Sequence, residues 1–253
     1  MTRIIAVASG KGGVGKTTLV SNLSAALARF GRSVIAVDGN TTTSNLGLYL
    51  GIPLYPKTIQ DVIRGQARVR DVIYSHPDGF RVMPGDMSFE KIMTPNHHEM
   101  LGALYKLIGE AEFVFIDTAA GLGREASSSL KVAEELLVTV TPDLASLTDA
   151  LKLIKVAEKN ETVPIGVVVN RVRNEPIELG TEEIESFLGV PVIGTVSEDY
   201  AVRKAVASRS PVVTHSPGSL AAQQFMSIAA AMSGDSYRMR MPLLSRLFGW
   251  FRA

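Results

Sequence analysis

Seven short, nearly continuous apolar runs recur along the chain: Ile4–Ala8, Val34–Val37, Phe80–Met83, Phe113–Ile116, Leu136–Val140, Ile165–Val169 and Val192–Val196. A strand with one wet face alternates apolar and polar residues, whereas runs like these suit strands buried on both faces. Helical patterns lie between them, over Thr17–Phe30, His98–Gly109, Asp143–Lys159, Thr181–Phe187 and Ser219–Met232. Strands alternating with helices imply right-handed crossovers. The expected fold is therefore α/β: a doubly wound, mostly parallel sheet flanked by helices. With 253 residues and no internal repeat, one body is expected over 1–234, followed by a flexible link and a terminal helix over 235–253.

Composition narrows the chemistry. The absence of cysteine excludes disulfides, thiolate metal sites, iron–sulfur ligation and a cysteine nucleophile, and fits a reducing compartment. The 26 Lys+Arg against 25 Asp+Glu give no global attraction to nucleic acid. No stretch reaches the roughly 18 apolar residues of a spanning helix, and the first residues lack the pattern of a signal peptide. A cytoplasmic location is expected.

Gly10-Lys11-Gly12-Gly13-Val14-Gly15-Lys16-Thr17 follows one apolar run and opens a helical pattern. Glycine, four residues, then Gly-Lys-Thr is a phosphate-binding string whose parts each have a task. Backbone N–H groups curl around phosphate oxygens, and the helix N-terminus adds positive potential. Lys16 can reach the β- and γ-phosphates, and the Thr17 hydroxyl can ligate Mg²⁺. Asp38 and Asp117 each end an apolar run, at the carboxyl ends of the strands where such folds bind ligands. A carboxylate there holds Mg²⁺ or its waters, or it caps a turn.

The loop's second lysine, Lys11, has no task in that string. Ser9-Gly10-Lys11-Gly12-Gly13-Val14-Gly15-Lys16-Thr17-Thr18 resembles the deviant P-loop of the MinD/ParA ATPases. The resemblance extends to Val37-Asp38, Ile116-Asp117-Thr118-Ala119-Ala120-Gly121, Val169-Asn170-Arg171 and Glu198-Asp199, spans most of the chain, and is strongest toward archaeal-type MinD. It implies a P-loop NTPase fold of the SIMIBI type, with ATP and Mg²⁺ as cofactors. It further implies that Lys11 reaches a partner's phosphates in an ATP-dependent homodimer, and that Asp117 and Asp38 serve the metal. Asn170, with Arg171, would read the base, and Ser197, Glu198 and Asp199 would form the opposite wall. Most relatives carry Pro where this chain has Ser197.

One departure matters most. The family's switch reads Asp-x-Asp, and its second Asp orients the attacking water; this chain reads Asp38-Gly39-Asn40. An amide can hold a water but lacks a carboxylate's basicity. Lys11, Lys16 and Asn40 are thus the candidate catalytic residues of an ATP hydrolase that is slow or nearly inactive. Ser146 and Asp149 match a helix at the dimer and partner face of relatives, or simply form an exposed first helical turn. His97 and His98 are read as surface histidines, since adjacent helical residues point apart and no third ligand is evident.

After Ser233-Gly234-Asp235, the residues Leu243, Leu244, Leu247, Phe248 and Phe251 share one helical face, with Trp250 beside them and arginines flanking. Such a helix lies in a membrane interface or docks on protein. The resemblance, whose members carry a C-terminal membrane-targeting helix, favours the membrane. The expected function is an ATP-controlled switch, peripheral at the inner face of the cell membrane, that positions division machinery or another polar structure. Its activator or cargo protein is unidentified. A localisation scaffold with little turnover is the alternative, followed by a DNA-partitioning ATPase, against which the balanced charge and aromatic tail argue.

Overall fold

The computed structural model describes residues 1–52, 55–86 and 97–239. The strands are β1 (Arg3–Ala8), β2 (Val34–Asp38), β3 (Tyr74–Ser75), β4 (Arg81–Met83), β5 (Phe113–Asp117), β6 (Glu135–Val140), β7 (Val163–Val172) and β8 (Val192–Ser197). They form a single eight-stranded sheet among the described residues, in the order β3-β4-β2-β5-β1-β6-β7-β8. Every pairing is parallel except β3 with β4. All seven expected strands are present. The eighth, β3, has two residues, too few to leave a periodic signal.

The helices are α1 (Lys16–Arg29), α2 (Leu46–Tyr49), α3 (Ile59–Ile63), α4 (His97–Leu104), α5 (Arg124–Val132), α6 (Leu144–Lys159), α7 (Thr181–Leu188), α8 (Tyr200–Ala207), α9 (Val212–His215) and α10 (Leu220–Ser233). Strand alternation sorts them into two layers. Ile4, Ala6 and Ala8 of β1 pack with Met100, Leu130, Leu147 and Ile184, from α4 to α7. Ile5 and Val7 face the other way, onto Leu19, Leu23, Val213 and Phe225 of α1, α9 and α10. The doubly wound sheet expected from the apolar runs is therefore the observed fold. The single helix expected over His98–Gly109 instead ends at Leu104 and tightens into a 3₁₀ turn, Tyr105–Leu107.

The amino ends of the strands are tied by ion pairs. Arg3 meets Glu135 at 2.6 Å, and Arg32 meets Asp235 at 2.9 Å. The Phe30 and Tyr237 rings also meet edge to face at 6.3 Å, so the link beyond 234 stays on the body as far as Tyr237. Residues 240–253, including Leu243, Leu244, Leu247, Phe248, Trp250 and Phe251, lie outside the described residues, as do the side chains of His97 and His98. Among the described residues no helix is long and apolar enough to cross a membrane.

Candidate functional site: a phosphate cradle joined to a base cleft

At the carboxyl ends of the strands, the loop after β1 turns into α1 through Gly15, whose φ is 103°. A side chain at Gly15 would also strike Asn170, placing a Cβ 2.2 Å from its Nδ2. At Gly10 a Cβ would sit 2.3 Å from the Cβ of Asp149 and 2.5 Å from its carbonyl carbon. The loop is thus pressed between β7 and α6, and only glycine fits both contacts. Val14 anchors the loop in the core, and Gly12, Gly13, Lys16, Thr17 and Thr18 line a cleft of about 340 Å³.

Lys16 is nearly buried and donates to Ser9 Oγ at 3.1 Å. Burial lowers the pKa of its ammonium, and the charge of Asp117 partly restores it. The Thr17 hydroxyl donates to Asp117 Oδ2 at 2.6 Å, while Asp117 Oδ1 is buried with no hydrogen-bond partner. Burial pushes the Asp117 carboxyl up to about 6, against the pull of Thr17 and Lys16. Asp38, its neighbour across the β2–β5 pair, is raised well above the ordinary range by burial and then by the Asp117 charge. It accepts the N–H groups of Asn40 at 3.2 Å and Leu46 at 3.1 Å, so it does cap the turn. Two buried carboxylates, one orphaned oxygen and a hydroxyl make an oxygen donor set that fits Mg²⁺.

Asn40 lines the same cleft. Its amide is tied within the loop: Oδ1 accepts from Thr43 N at 3.0 Å, and Nδ2 donates to Thr43 Oγ1 at 2.9 Å. The Lys11 ammonium rests on Asp143 Oδ1 at 3.1 Å, and Asp143 in turn caps α6 by accepting from Ser146 N at 2.9 Å. Ser146 is buried, its Oγ accepting from Thr141 N, and Asp149 pairs with Lys152. These two residues brace the start of α6 behind the loop.

A second cleft, about 370 Å³, adjoins the first. The sequence-predicted Asn170, Arg171, Ser197, Glu198 and Asp199 all line it. Asn170 Nδ2 donates to Val14 O at 2.7 Å, which leaves its Oδ1 as the acceptor offered to the cleft. Arg171 sits at φ 59° where the β7–β8 register shifts, a bulge that re-aims the chain beside the site. Glu198 is held below its usual range by Arg173. The Ser197 hydroxyl and main chain bond Gln224, and Asp199 accepts from Ala201 N and Ala221 N, capping two helices. Tyr49, Val202, Arg203 and Val206 complete the lining and were missed. The Val202/Val206 spacing of four along a helix was the available signal.

A glycine-rich loop entering a helix, two strand-end carboxylates and a base-sized cleft past Asn170 describe a nucleotide site. A sequence profile of CbiA, the CobQ/CobB/MinD/ParA nucleotide binding domain, matches residues 5–212. The chain belongs to this family. An ATP-binding protein of Methanocaldococcus jannaschii is 43% identical over 95% of this chain and 91% of its own length. The antiactivator FleN of Pseudomonas aeruginosa is 34% identical over 90% of this chain and 85% of its own. In structure, the cell division ATPase MinD of Pyrococcus furiosus superposes with TM-score 0.89 at 35% identity, covering 92% of this chain and 99% of that one. The septum site-determining MinD of Pyrococcus horikoshii, solved with Mg-ADP, gives 0.88 at 34% identity, covering 92% and 96%. The MinD/ParA resemblance read from the loop therefore holds for the family as well as the fold.

Proposed function

We propose that the chain is an ATP- and Mg²⁺-dependent dimerising switch that acts at a membrane surface to position division machinery or another polar structure. The observation that carries this is the cradle itself, in which Lys16, Thr17, Asp38 and Asp117 converge around an orphaned carboxylate oxygen. Kinship with MinD and FleN gives the direction. The loop amides and Lys16 would hold the phosphates. Thr17, Asp117 and Asp38 would hold Mg²⁺, which when bound neutralises charge building on the transferring phosphoryl group. Asn170 and the 197–199 wall would hold the base. Lys11, half exposed on Asp143, is free to exchange that partner for phosphates of a second subunit.

The apolar face of 243–251 supplies the membrane contact. Each large side chain there contributes about 1–2 kcal/mol on burial, against roughly 1 kcal/mol or more per residue to order the segment. One tail therefore binds weakly. Joining two in an ATP dimer makes the second insertion intramolecular, with avidity gains of roughly 10²–10⁴. Sedimentation with anionic liposomes should be strong with ATP, weak with ADP and absent after deletion of 242–253. Equal sedimentation of the deletion variant would overturn the membrane reading.

A second reading, a localisation scaffold with little turnover, is favoured by the Asn40 amide, which bonds Thr43 rather than standing free for a water. Under it, Asn40→Asp leaves the ATP hydrolysis rate unchanged. Under the switch reading the substitution raises that rate and leaves nucleotide affinity nearly constant.

A further inference from the structure

The two clefts share four lining residues, Gly15, Thr18, Tyr49 and Arg171. In a nucleoside phosphate the sugar lies between base and phosphates, so groups lining both clefts flank the sugar. Gly15 brings no side chain. Tyr49 brings an aromatic ring and a hydroxyl that no hydrogen bond among the described residues uses. Its position is fixed from both sides. Leu46 and Leu50 anchor α2 in the core, and Leu46 N is bonded to Asp38 Oδ2 at 3.1 Å. The chain then folds back tightly, with Ile52 N donating to Gly47 O at 2.9 Å. A Cβ on Gly47 would come within 2.8 Å of Ile52 O, so the turn has no slack.

Resting on the nucleotide reading above, we infer that Tyr49 is a sugar-binding residue whose hydroxyl hydrogen-bonds the vicinal hydroxyl pair of a ribonucleotide. A tyrosine hydroxyl both donates and accepts, so it pairs with a sugar hydroxyl in either sense. Tyr49 is only partly buried, so the discrimination is that of one ordinary hydrogen bond rather than that of a sealed pocket. The full chain then prefers a ribonucleotide to its dideoxy counterpart, and Tyr49 is the reason.

The test is equilibrium binding of Mg²⁺ with ATP and with 2′,3′-dideoxy-ATP to the full chain, to Tyr49→Phe and to Lys16→Ala. Wild type should favour ATP by roughly three- to tenfold, the worth of one net hydrogen bond. Tyr49→Phe keeps the ring and its packing. It should bring ATP down to the affinity of the dideoxy analogue and leave the analogue's own affinity unchanged. A Tyr49→Phe protein that keeps the wild-type ratio overturns the inference, as does a wild type that binds both nucleotides equally. If wild type and Lys16→Ala bind ATP equally poorly, the nucleotide reading itself has failed, a result distinct from either.

Discussion

The two ends of the sheet are built on opposite terms. At the amino ends, Arg3 meets Glu135 and also donates to Met232 O, while Arg32 joins Asp235 and Glu112. Charges there are half exposed and satisfied. At the carboxyl ends, Lys16, Asp38 and Asp117 are buried and one carboxylate oxygen has no partner. Buried charge and unpaired oxygens cost stability. One end is arranged for holding the fold and the other for meeting a ligand that will complete it.

Lys16→Ala should break the contrast most visibly. Losing charge-assisted bonds to phosphates should weaken ATP binding at least about a hundredfold. Without nucleotide the melting temperature should hold or rise, because a desolvated ammonium has gone. A clear fall in that melting temperature would mean that the lysine supports the apo fold.

Gly10→Ala tests the crowding behind the loop. With a Cβ driven into the Asp149 backbone, overpacking should cost about 1–3 kcal/mol. Calorimetry should then show melting several degrees lower, with nucleotide affinity reduced in parallel. Unchanged melting would show that α6 can yield.

Asp117→Asn probes the buried carboxylates through pH. The folded protein binds the Asp117 proton more tightly than the unfolded chain, its pKa rising from 3.8 to about 6. Its contribution to stability is full below 3.8 and is lost as pH rises through about 6. Without Mg²⁺ or nucleotide, the Asn variant should be more stable than wild type at pH 7 by on the order of 1–3 kcal/mol. The difference should vanish near pH 4, and denaturant titrations at the two pH values would reveal it. The same substitution should abolish any Mg²⁺ dependence of nucleotide binding.

Arg32→Gln, at the other end, should have the smallest effect. Exposed pairs contribute little, so a slight drop in melting temperature is expected that disappears in ~0.5 M salt. A large, salt-insensitive loss would erase the distinction between the two ends.

The strands and the cradle were legible because each rests on a local rule. Runs buried on both faces lose their alternation, and a phosphate nest needs glycines at fixed spacing. What escaped was set by tertiary placement. Tyr49 lies on a four-residue helix with no pattern of its own, and it borders both clefts only because Leu46 and Leu50 anchor α2. Asp199 looked like part of the base wall. It does line the cleft, but its carboxylate caps α8 and accepts from the start of α10, a double task visible only once both helices are in place.

The bond from Asn170 to Val14 spans 156 residues, and Gly10 leans on Asp149. The groups that brace the phosphate loop lie more than a hundred residues further along the chain. Before β7 and α6 are in place the loop has its glycines without its supports, and contacts so distant in sequence close late. Nucleotide capture is therefore a property of the assembled sheet rather than of the loop alone, and it comes late in folding.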